Sequence, residues 1–389
     1  MVLIIFWVSL IALVYTYIGY PLLITLLAHG KKNRTPAEVA SYPTVSMIMS
    51  VYNEADVIRQ KIENCLAIDY PESKVEILIG SDGSTDKTGE IVTSFNDKRL
   101  QFVPGDQRHG KPHTLNKLVA LAKGDVLFFT DARQIMEKDA LKKLVRHFQD
   151  TAIGCVSGEL VYRKEGSITG RGVDVYWRYE KHLREMESAV YSMIGATGAI
   201  YASRRSLFQP IPEDIILDDV YTPLIVVNKG CRAIFDREAV AYDIVAETPR
   251  DEHRRKIRTL SGNYQIFFRM SYMLNPFKSR IAFQMISHKL LRVIAPFFMI
   301  FLFLANLMLL GRSGYMIAFF GQVMFYATAA FEAMFRKRIK KIFGIPYLFC
   351  LLNYSALVGL WNYIFNKADV KWDKVRSGTE MREILGIDR

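Results

Sequence analysis

Cysteine is scarce in this chain of 389 residues, which has four cysteines far apart in the sequence. Cys65, Cys155, Cys231 and Cys350 form no Cys-x-x-Cys pair and no metal-binding spacing. A disulfide-stapled domain and a structural zinc module are therefore excluded, and we expect reduced, buried thiols.

Charge is absent from the first 28 residues, and Lys31, Lys32 and Arg34 follow them almost at once. An uncharged run of this length is long enough to cross a bilayer. It also lacks the basic start and the short apolar core of a cleavable signal peptide. We therefore predict a transmembrane helix over residues 1–28 that is retained as an anchor.

Three later stretches also lack charged residues and have spanning length: Val293–Gly311, Ser313–Phe331 and Ile342–Asn366. The short loop between the last two, Arg336–Lys341, reads RKRIKK, and short basic loops stay on the cytoplasmic side. We therefore predict a multi-pass protein of the inner membrane, with a cytoplasmic domain between its first and second spans.

The last of these stretches is less regular, because Pro346, Asn353, Gly359 and Asn362 interrupt it. A re-entrant or interfacial path remains open beside a full crossing. The side of the membrane on which the tail, 367–389, lies stays open with it.

Acidic residues are outnumbered, with 39 Asp and Glu against 51 Lys and Arg, which gives a net charge of +12. Much of the basic excess flanks the apolar runs, where anionic lipid headgroups account for it. Membrane lipid is therefore the predicted partner of this charge, and nucleic acid is not.

From Pro43 onward, short apolar runs alternate with segments of helical spacing. The pattern predicts strands at 44–51, 75–80, 100–103 and 126–129, and helices at 54–67, 88–95 and 112–122. Strands and helices that alternate at this pace are typical of a parallel sheet. We predict an α/β, Rossmann-like domain with a mostly parallel sheet.

Two acids directly follow predicted strands. Asp131 lies just past the run Val126–Phe129, and Asp82 lies in the loop SDGSTD after the strand at 75–80. Ligands of open α/β sheets bind outside the carboxyl ends of the strands, so both acids are candidates to bind a metal or a nucleotide. A helix-capping Asp at 131 and a plain Asx-rich turn at 81–86 are the structural alternatives.

Seven segments in order carry a resemblance to a known family. The segments are YNEADVI, VEILIGSDGSTDKT, RHGKPHTLN, GDVLFFTDAR, GATGAIYASRRSLF, ILDDVYTPL and RRKIRTLSGNYQ. On these segments the chain resembles the family-2 glycosyltransferases, in particular the membrane-bound branch that includes cellulose and hyaluronan synthases, from about Pro43 to Gln265. The resemblance implies the GT-A nucleotide-sugar fold.

The resemblance also implies a donor site. Asn53, Glu54 and Asp82 would line the uridine pocket, with Asp82 on the base or ribose, and Lys111 and Asn116 would lie beside the nucleotide. A cation such as Lys111 suits a diphosphate. A flexible basic loop on the cytoplasmic face is the alternative for the segment around it.

Asp131 matches the first acid of the family's Asp-x-Asp motif, which holds a divalent cation on the sugar diphosphate. Arg133 stands where the second Asp is usual, so the cation would have one carboxylate fewer. Mg²⁺ or Mn²⁺ is the cofactor that the resemblance implies, and Mg²⁺ tolerates such a site because it commonly keeps waters and phosphate ligands. Arg133 could also contact phosphate itself.

Two further matches complete the implied machinery. Asp219 aligns with the acid of the family's Glu-Asp motif and would be the general base, with Asp218 as its nearest rival. Arg255, Lys256 and Arg258 fit the basic positions of the Gln-x-x-Arg-Trp motif, which closes over the diphosphate, although Arg255 stands where Gln is usual. Thr259 stands where the processive synthases have Trp, which weakens a prediction of long-polymer synthesis.

These observations predict a membrane-embedded inverting glycosyltransferase that uses a UDP-sugar and a polysaccharide or lipid-linked acceptor. In chain order, the protein is predicted to contain a span at 1–28, a GT-A domain at 31–250, basic interfacial helices at 251–290, two or three spans at 291–366, and a tail at 367–389. A single-transfer lipid glycosyltransferase, a nucleotidyltransferase and an inactive nucleotide-sugar-binding partner of another synthase are the alternatives. Partner subunits of a polysaccharide or glycolipid pathway are expected on the same grounds.

Overall fold

A computed structural model describes residues 1–31, 39, 41–163, 170–244, 249–335 and 344–367. The basic loop Arg336–Lys341 and all of the predicted tail beyond Lys367 lie outside these residues. The chain divides into two compact units. One unit is formed by the described residues of Met1–His29, Gly166–Leu183 and Glu252–Ala368, and the other by those of Gly30–Glu165 and Arg184–Asp251.

The second of these units is built on a mixed sheet. Its strands are β1 (Val45–Val51), β2 (Val75–Ser81), β3 (Leu100–Val103), β4 (Val126–Phe129), β5 (Ile135–Met136), β6 (Ile153–Arg163), β7 (Tyr201–Arg204) and β8 (Arg232–Ile244). Their order in the sheet is β3-β2-β1-β4-β7-β6-β8-β5. The pairs β1/β2, β2/β3, β1/β4 and β6/β8 are parallel, whereas β7 is antiparallel to both of its neighbours and β5 to β8.

The parallel half of the sheet forms because its strands are continuous apolar runs with helices between them. All seven residues of β1 and all four of β4 are buried, as expected for strands covered on both faces. The α/β prediction with a mostly parallel sheet is therefore confirmed. The core of this half contains Met47, Ile77 and Phe128 among its fully buried side chains.

Helices connect and cover these strands. Within the described part of this unit they are Ile58–Leu66, Thr88–Thr93, Lys111–Leu121, Ala140–Val145 and Asp218–Asn228, with the end of Gly170–Val190. Ile58–Leu66 is amphipathic, and its buried positions are Ile58, Lys61, Ile62 and Cys65, at helical spacing. A lysine therefore lies on the buried face of this helix.

The strand order places a crevice at the carboxyl edge of the sheet. Strand β2, which follows β1 in the chain, pairs with one edge of β1, whereas β4 pairs with its other edge. Ligand sites of open α/β sheets form outside the carboxyl ends of the strands at such a reversal of order. The segments after β1, β2 and β4 all begin at this edge, and they carry Asn53, Asp82 and Asp131.

The other unit contains four helices that are long and apolar enough to cross a membrane, counted among the described residues: Val2–Ala28, Ala282–Met308, Ser313–Phe335 and Gly344–Ile364. These helices lie where spans were predicted, except that the second begins at Ala282, well before Val293, and their crossing of a membrane stays a prediction. The segment before it contains the helix Pro249–Arg269 and a short 3-10 helix, Ser271–Leu274.

Polar contacts connect the helices of this unit. The Tyr15 hydroxyl lies 2.8 Å from the Ser287 hydroxyl. Glu180, which is buried, accepts a hydrogen bond from Arg292, and its other carboxylate oxygen lies 3.3 Å from His288 Nε2. Because buried charges require partners, these contacts fix the register of the helices that carry them.

All four cysteines are free thiols. Cys65 and Cys155 are buried, whereas Cys231 and Cys350 are half-buried, so the expectation of burial is met in full only by the first two.

Candidate active site

Asp82, at the end of β2, is buried and binds the backbone at the start of the helix Lys111–Leu121. Its Oδ1 accepts hydrogen bonds from the N–H groups of His109 and Gly110, both at 2.9 Å, and its Oδ2 accepts from Gly110 at 3.0 Å. Helix N-termini present N–H groups without intrahelical partners, which a carboxylate satisfies well. Asp82 therefore anchors the loop that leads into Lys111.

Asn53 follows β1 and organises the loop after β2. Its φ is +54°, in the left-handed region that Asn tolerates better than most residues. Its side-chain oxygen accepts hydrogen bonds from the N–H groups of Thr85 at 2.8 Å and Asp86 at 3.3 Å. The N–H of Glu54 donates to Thr88 Oγ1 at 2.8 Å. Asn53 and Glu54 thus tie together the two loops at this edge.

A flat cationic and aromatic surface lies beside these loops. The Arg108 guanidinium stacks over the Tyr52 ring, 4.0 Å from its centroid. Gly83 has φ +72°, and a Cβ there would lie 2.6 Å from the Gln107 carbonyl carbon. Only glycine therefore allows the two loops to approach this closely.

Lys111 is the central cation of the site. Its Nζ donates a hydrogen bond to Asp131 Oδ1 at 3.0 Å and lies 3.2 Å from Asp218 Oδ2, a close ion pair without hydrogen-bond alignment. Burial lowers the pKa of Lys111, but Asp131, Asp218 and Asp219 together outweigh that effect and raise it. For Asp131, burial raises the pKa, but Lys111, with smaller contributions from Lys61 and Arg133, outweighs burial and lowers it. Both groups are therefore charged at neutral pH.

Asp219 is held differently from the two carboxylates that contact Lys111. It lies in the first turn of the helix Asp218–Asn228, and its Oδ2 accepts a hydrogen bond from the Gly198 N–H at 3.2 Å. Burial, followed by the charge of Asp218, raises the pKa of Asp219 to about 6. A carboxylate with this pKa is mostly ionised at neutral pH yet basic enough to accept a proton.

Arg133 lies next to a partner that the sequence did not reveal. It binds Asp243 of β8 with two hydrogen bonds, Nε to Oδ1 and Nη2 to Oδ2, both at 3.1 Å. The Gln134 side chain donates to the same carboxylate at 2.9 Å. In this structure Arg133 therefore holds the segment after β4 in place.

Lys61 is a second buried cation that supports this segment. It donates hydrogen bonds to Thr130 Oγ1 and to the Gln134 carbonyl, both at 2.7 Å. Burial lowers its pKa, with smaller opposing contributions from Cys65 and Asp131. Its position between apolar residues at helical spacing is the sequence signal that could have identified it.

The remaining predicted residues fall in two places. Asn116 exchanges two hydrogen bonds with the backbone of Ile211, at 2.7 and 2.9 Å, so its amide holds the loop before Asp218. Arg255 and Arg258 lie on the helix Pro249–Arg269, in the unit that carries the apolar helices. Their predicted role at the diphosphate stays a prediction.

The residues present fit a divalent cation that takes most of its ligands from elsewhere. Asp131 offers one partly exposed carboxylate, and Arg133 offers none. Within the part of the chain that the structure describes, no group of three or more His, Cys, Asp or Glu side chains could hold a metal ion. Mg²⁺ commonly uses one or two carboxylates with substrate phosphates, so Asp131 suits a cation bound together with a diphosphate.

The fold and these side chains define a class of protein, the nucleotide-sugar-dependent glycosyltransferases with a GT-A-like fold. Residues 46–241 match the model of the family described as Glycosyl transferase family 2. That match covers half of the chain, and the protein belongs to this family. The family and the fold predicted from the sequence motifs are therefore confirmed.

The chain is similar to synthases of a bacterial polysaccharide. It is 24% identical to poly-beta-1,6-N-acetyl-D-glucosamine synthase of Staphylococcus aureus over 231 residues, which cover 58% of this chain and 56% of that protein. The corresponding protein of Staphylococcus epidermidis is 22% identical over the same length. The chain therefore spans little more than half the length of these relatives.

A solved structure is similar over nearly all of the chain. It is the mannosyltransferase PcManGT of Pyrobaculum calidifontis, in complex with GDP-Man and Mn²⁺. The TM-score is 0.71 at 22% identity, and the likeness covers 93% of this chain and 99% of that one. At this low sequence identity, the structural similarity shows a shared fold alone.

Proposed function

We propose that this protein is a membrane-embedded, inverting glycosyltransferase that transfers a sugar from a UDP-sugar to a polysaccharide or lipid-linked acceptor. The observation that carries the proposal is Asp219, a carboxylate with a pKa raised to about 6. It shares a site with Lys111 and Asp131, which suit a diphosphate and its cation. A base and a charge-binding group side by side are what a single displacement requires.

The proposed reaction is one in-line displacement. Asp219 takes the proton of an acceptor hydroxyl while the hydroxyl oxygen bonds to the anomeric carbon of the donor. The bond from that carbon to the diphosphate oxygen breaks, and its electron pair leaves with UDP. One displacement of this kind inverts the anomeric configuration. Asp218 is less suited to be the base, because it lies against the Lys111 ammonium.

The donor would bind at the carboxyl edge of the sheet. Tyr52 and Arg108 offer a flat surface for a base, and Asn53 and Asp82 hold the loops around it. Lys111 would bind the diphosphate directly. When bound at Asp131, Mg²⁺ or Mn²⁺ would supply charge neutralisation for the departing UDP.

The apolar helices support a membrane location for the acceptor. Four helices of spanning length belong to the same chain as the site. We propose that the site lies on the cytoplasmic side of the inner membrane, where nucleotide sugars are made, and that lipid or growing polysaccharide arrives from the bilayer side. Similarity to a polysaccharide synthase supports a polymer, whereas Thr259 in place of Trp favours a short or single transfer.

The test is release of UDP by the full chain purified in detergent, with added membrane lipid extract and either Mg²⁺ or Mn²⁺. UDP-N-acetylglucosamine is the first donor to test, because its sugar is the unit in the relatives' name. Other UDP-sugars and GDP-mannose complete the panel. We expect one donor to be turned over, and sizing of the product separates a polymer from a single transfer.

Variants identify the base. Asp219→Asn should reduce turnover by about 10²–10⁴-fold, the range typical of a lost general base. Glu90→Gln removes an exposed carboxylate from the helix Thr88–Thr93 and is the matched control, with no expected change. If Asp219→Asn keeps full activity and Asp218→Asn is inactive, the general base is Asp218. Absence of turnover with every donor would contradict the proposed function.

A further inference from the structure

Lys111 binds one oxygen of the carboxylate that a divalent cation would need. Its Nζ is 3.0 Å from Asp131 Oδ1 and 3.2 Å from Asp218 Oδ2, and the lysine side chain is 17% exposed. The family's second metal-binding position is Arg133, which is bonded to Asp243. Asp131 is therefore the one carboxylate of this motif, and an internal cation already neutralises it.

An ammonium group and a divalent cation compete for such a carboxylate. A bound Mg²⁺ lies about 2.1 Å from its oxygen ligands. A second cation held by the same oxygen would lie within a few ångströms of the metal and repel it strongly in a partly dry site. The second carboxylate near this ammonium group, Asp218, contacts the same Nζ, and the residue two positions after Asp131 is a cation. Metal binding at Asp131 therefore requires Lys111 to move or new anionic ligands to arrive.

We propose that Lys111 excludes the divalent cation from the site until a nucleotide diphosphate binds. This inference rests on the proposed function, because the diphosphate is the group that admits the metal. Its oxygens attract the Lys111 ammonium away from Asp131 and also supply the ligands that Arg133 does not. Cation and donor then bind as a unit, and the donor-free site has little affinity for the cation.

The Lys111 ammonium also places a positive charge among three neighbouring acids. Its Nζ lies within 3.2 Å of two of them, Asp131 and Asp218, and its charge offsets the mutual repulsion of the carboxylates. A neutral residue at 111 would leave these carboxylates without their cation. Such a site attracts a divalent ion even when no nucleotide is present.

The experiment measures Mn²⁺ binding by the full chain in detergent without any nucleotide, from the free Mn²⁺ signal in electron paramagnetic resonance. We expect Lys111→Met to bind Mn²⁺ more tightly than the unchanged protein by about tenfold or more. Lys111→Arg, which keeps the charge, should bind as weakly as the unchanged protein. Lys117→Met removes an exposed lysine from the same helix and is the matched control, with no expected change.

Asp131→Asn added to Lys111→Met should abolish the gained Mn²⁺ affinity, which assigns it to this carboxylate. If folded Lys111→Met binds Mn²⁺ no better than the unchanged protein, the exclusion role is wrong. Lys111→Gln is compared in the same way if Lys111→Met does not fold. Because the titration contains no donor, its result is separate from UDP release, whose failure would contradict the proposed function alone.

Discussion

Three carboxylates, Asp131, Asp218 and Asp219, interact electrostatically with the Lys111 ammonium group, but only the first two contact it. Asp131 and Asp218 lie within 3.2 Å of Lys111 Nζ, at 3.0 and 3.2 Å, and the pKa of Asp131 is lowered. Asp219 has no such contact, and its pKa is raised to about 6. Neighbouring acids with pKa values pushed apart are typical of sites that divide binding from proton transfer.

The raised pKa of Asp219 predicts the pH dependence of the reaction. Only the ionised carboxylate can accept a proton, and it predominates above pH 6 and is lost as the pH falls through that value. We expect kcat/KM for the donor to level off above about pH 7 and to fall about tenfold per pH unit well below 6. A profile measured at saturating acceptor tests this. A rate that is flat down to about pH 4.5 would exclude Asp219 as the base.

The pair of Arg133 and Asp243 predicts a loss of stability. Asp243 is almost fully buried, and Arg133→Ala removes two of the hydrogen bonds that its carboxylate accepts, while Gln134 still donates one. Breaking a buried ion pair from one side costs about 3–5 kcal/mol. Thermal unfolding of the purified protein measures the change. Lys143→Ala breaks two partly exposed pairs, with Asp139 and Glu137, and should cost no more than about 1 kcal/mol.

Replacing both partners separates the charge from the packing. Arg133→Met with Asp243→Leu should recover much of the loss, since apolar residues of similar volume often replace a buried pair without penalty. Equal melting of Arg133→Ala and Lys143→Ala would show that the pair does not stabilise the site.

At the residue scale, sequence patterns predicted where acids lie but not what they contact. Asp131 was expected after a buried strand because the run Val126–Phe129 marks that strand. Its contact with Lys111 depends on the sheet bringing two distant segments together, which no local pattern encodes. The same holds for Arg133, whose partner Asp243 comes from β8. The Asn116 amide is bonded to Ile211, which the sequence did not indicate, and its predicted place beside a nucleotide stays a prediction.

At the scale of secondary structure, the apolar strands were the most predictable elements. β3 and β4 have the predicted bounds, and β1 and β2 differ from them by one residue each. The long strands β6 and β8 were not predicted, because each mixes charged, polar and small residues with apolar ones, so the sequence shows no long apolar run there. Pairing with each other and with β7 or β5 stabilises them.

The loop after β2 provides a prediction at this scale. Gly83→Ala should weaken UDP binding by about tenfold or more, because the new Cβ would lie 2.6 Å from the Gln107 carbonyl carbon and displace the loop before Lys111. Gly230→Ala is the matched control. Its φ is +88°, but nothing lies within 4 Å of its added Cβ, so only backbone strain of about 1–2 kcal/mol is expected.

Calorimetric titration with UDP distinguishes the two glycines. If Gly83→Ala binds UDP as tightly as the unchanged protein does, the close approach of the loops at Gly83 is not part of the donor site. Equal losses in both variants would assign the effect to general destabilisation.

At the scale of the whole molecule, the chain combines a sheet domain with a unit of apolar helices. Large apolar side chains are exposed on the latter, among them Ile4, Leu26, Ile317 and Met324. Exposed apolar surface on this scale requires a non-aqueous partner, and four helices of spanning length indicate that the partner is lipid. Orientation in the bilayer then depends on the basic residues beside these helices.

The basic residues after the first helix and in the loop RKRIKK predict a cytoplasmic location for both, and an external location for the turn at Arg312. The measurement is labelling of single cysteines in intact cells by a membrane-impermeant maleimide, after the four native cysteines are replaced by serine. We expect Arg312→Cys to be labelled from outside and Lys31→Cys to be labelled only after the cells are opened.

The two positions control for each other, because a leaky membrane would label both and a folding failure would label neither in intact cells. External labelling of Lys31→Cys with protection of Arg312→Cys would place the sheet domain outside. A cytoplasmic nucleotide sugar could not reach the site of Lys111 and Asp219 in that orientation. The topology experiment therefore tests the donor proposal as well, without measuring turnover.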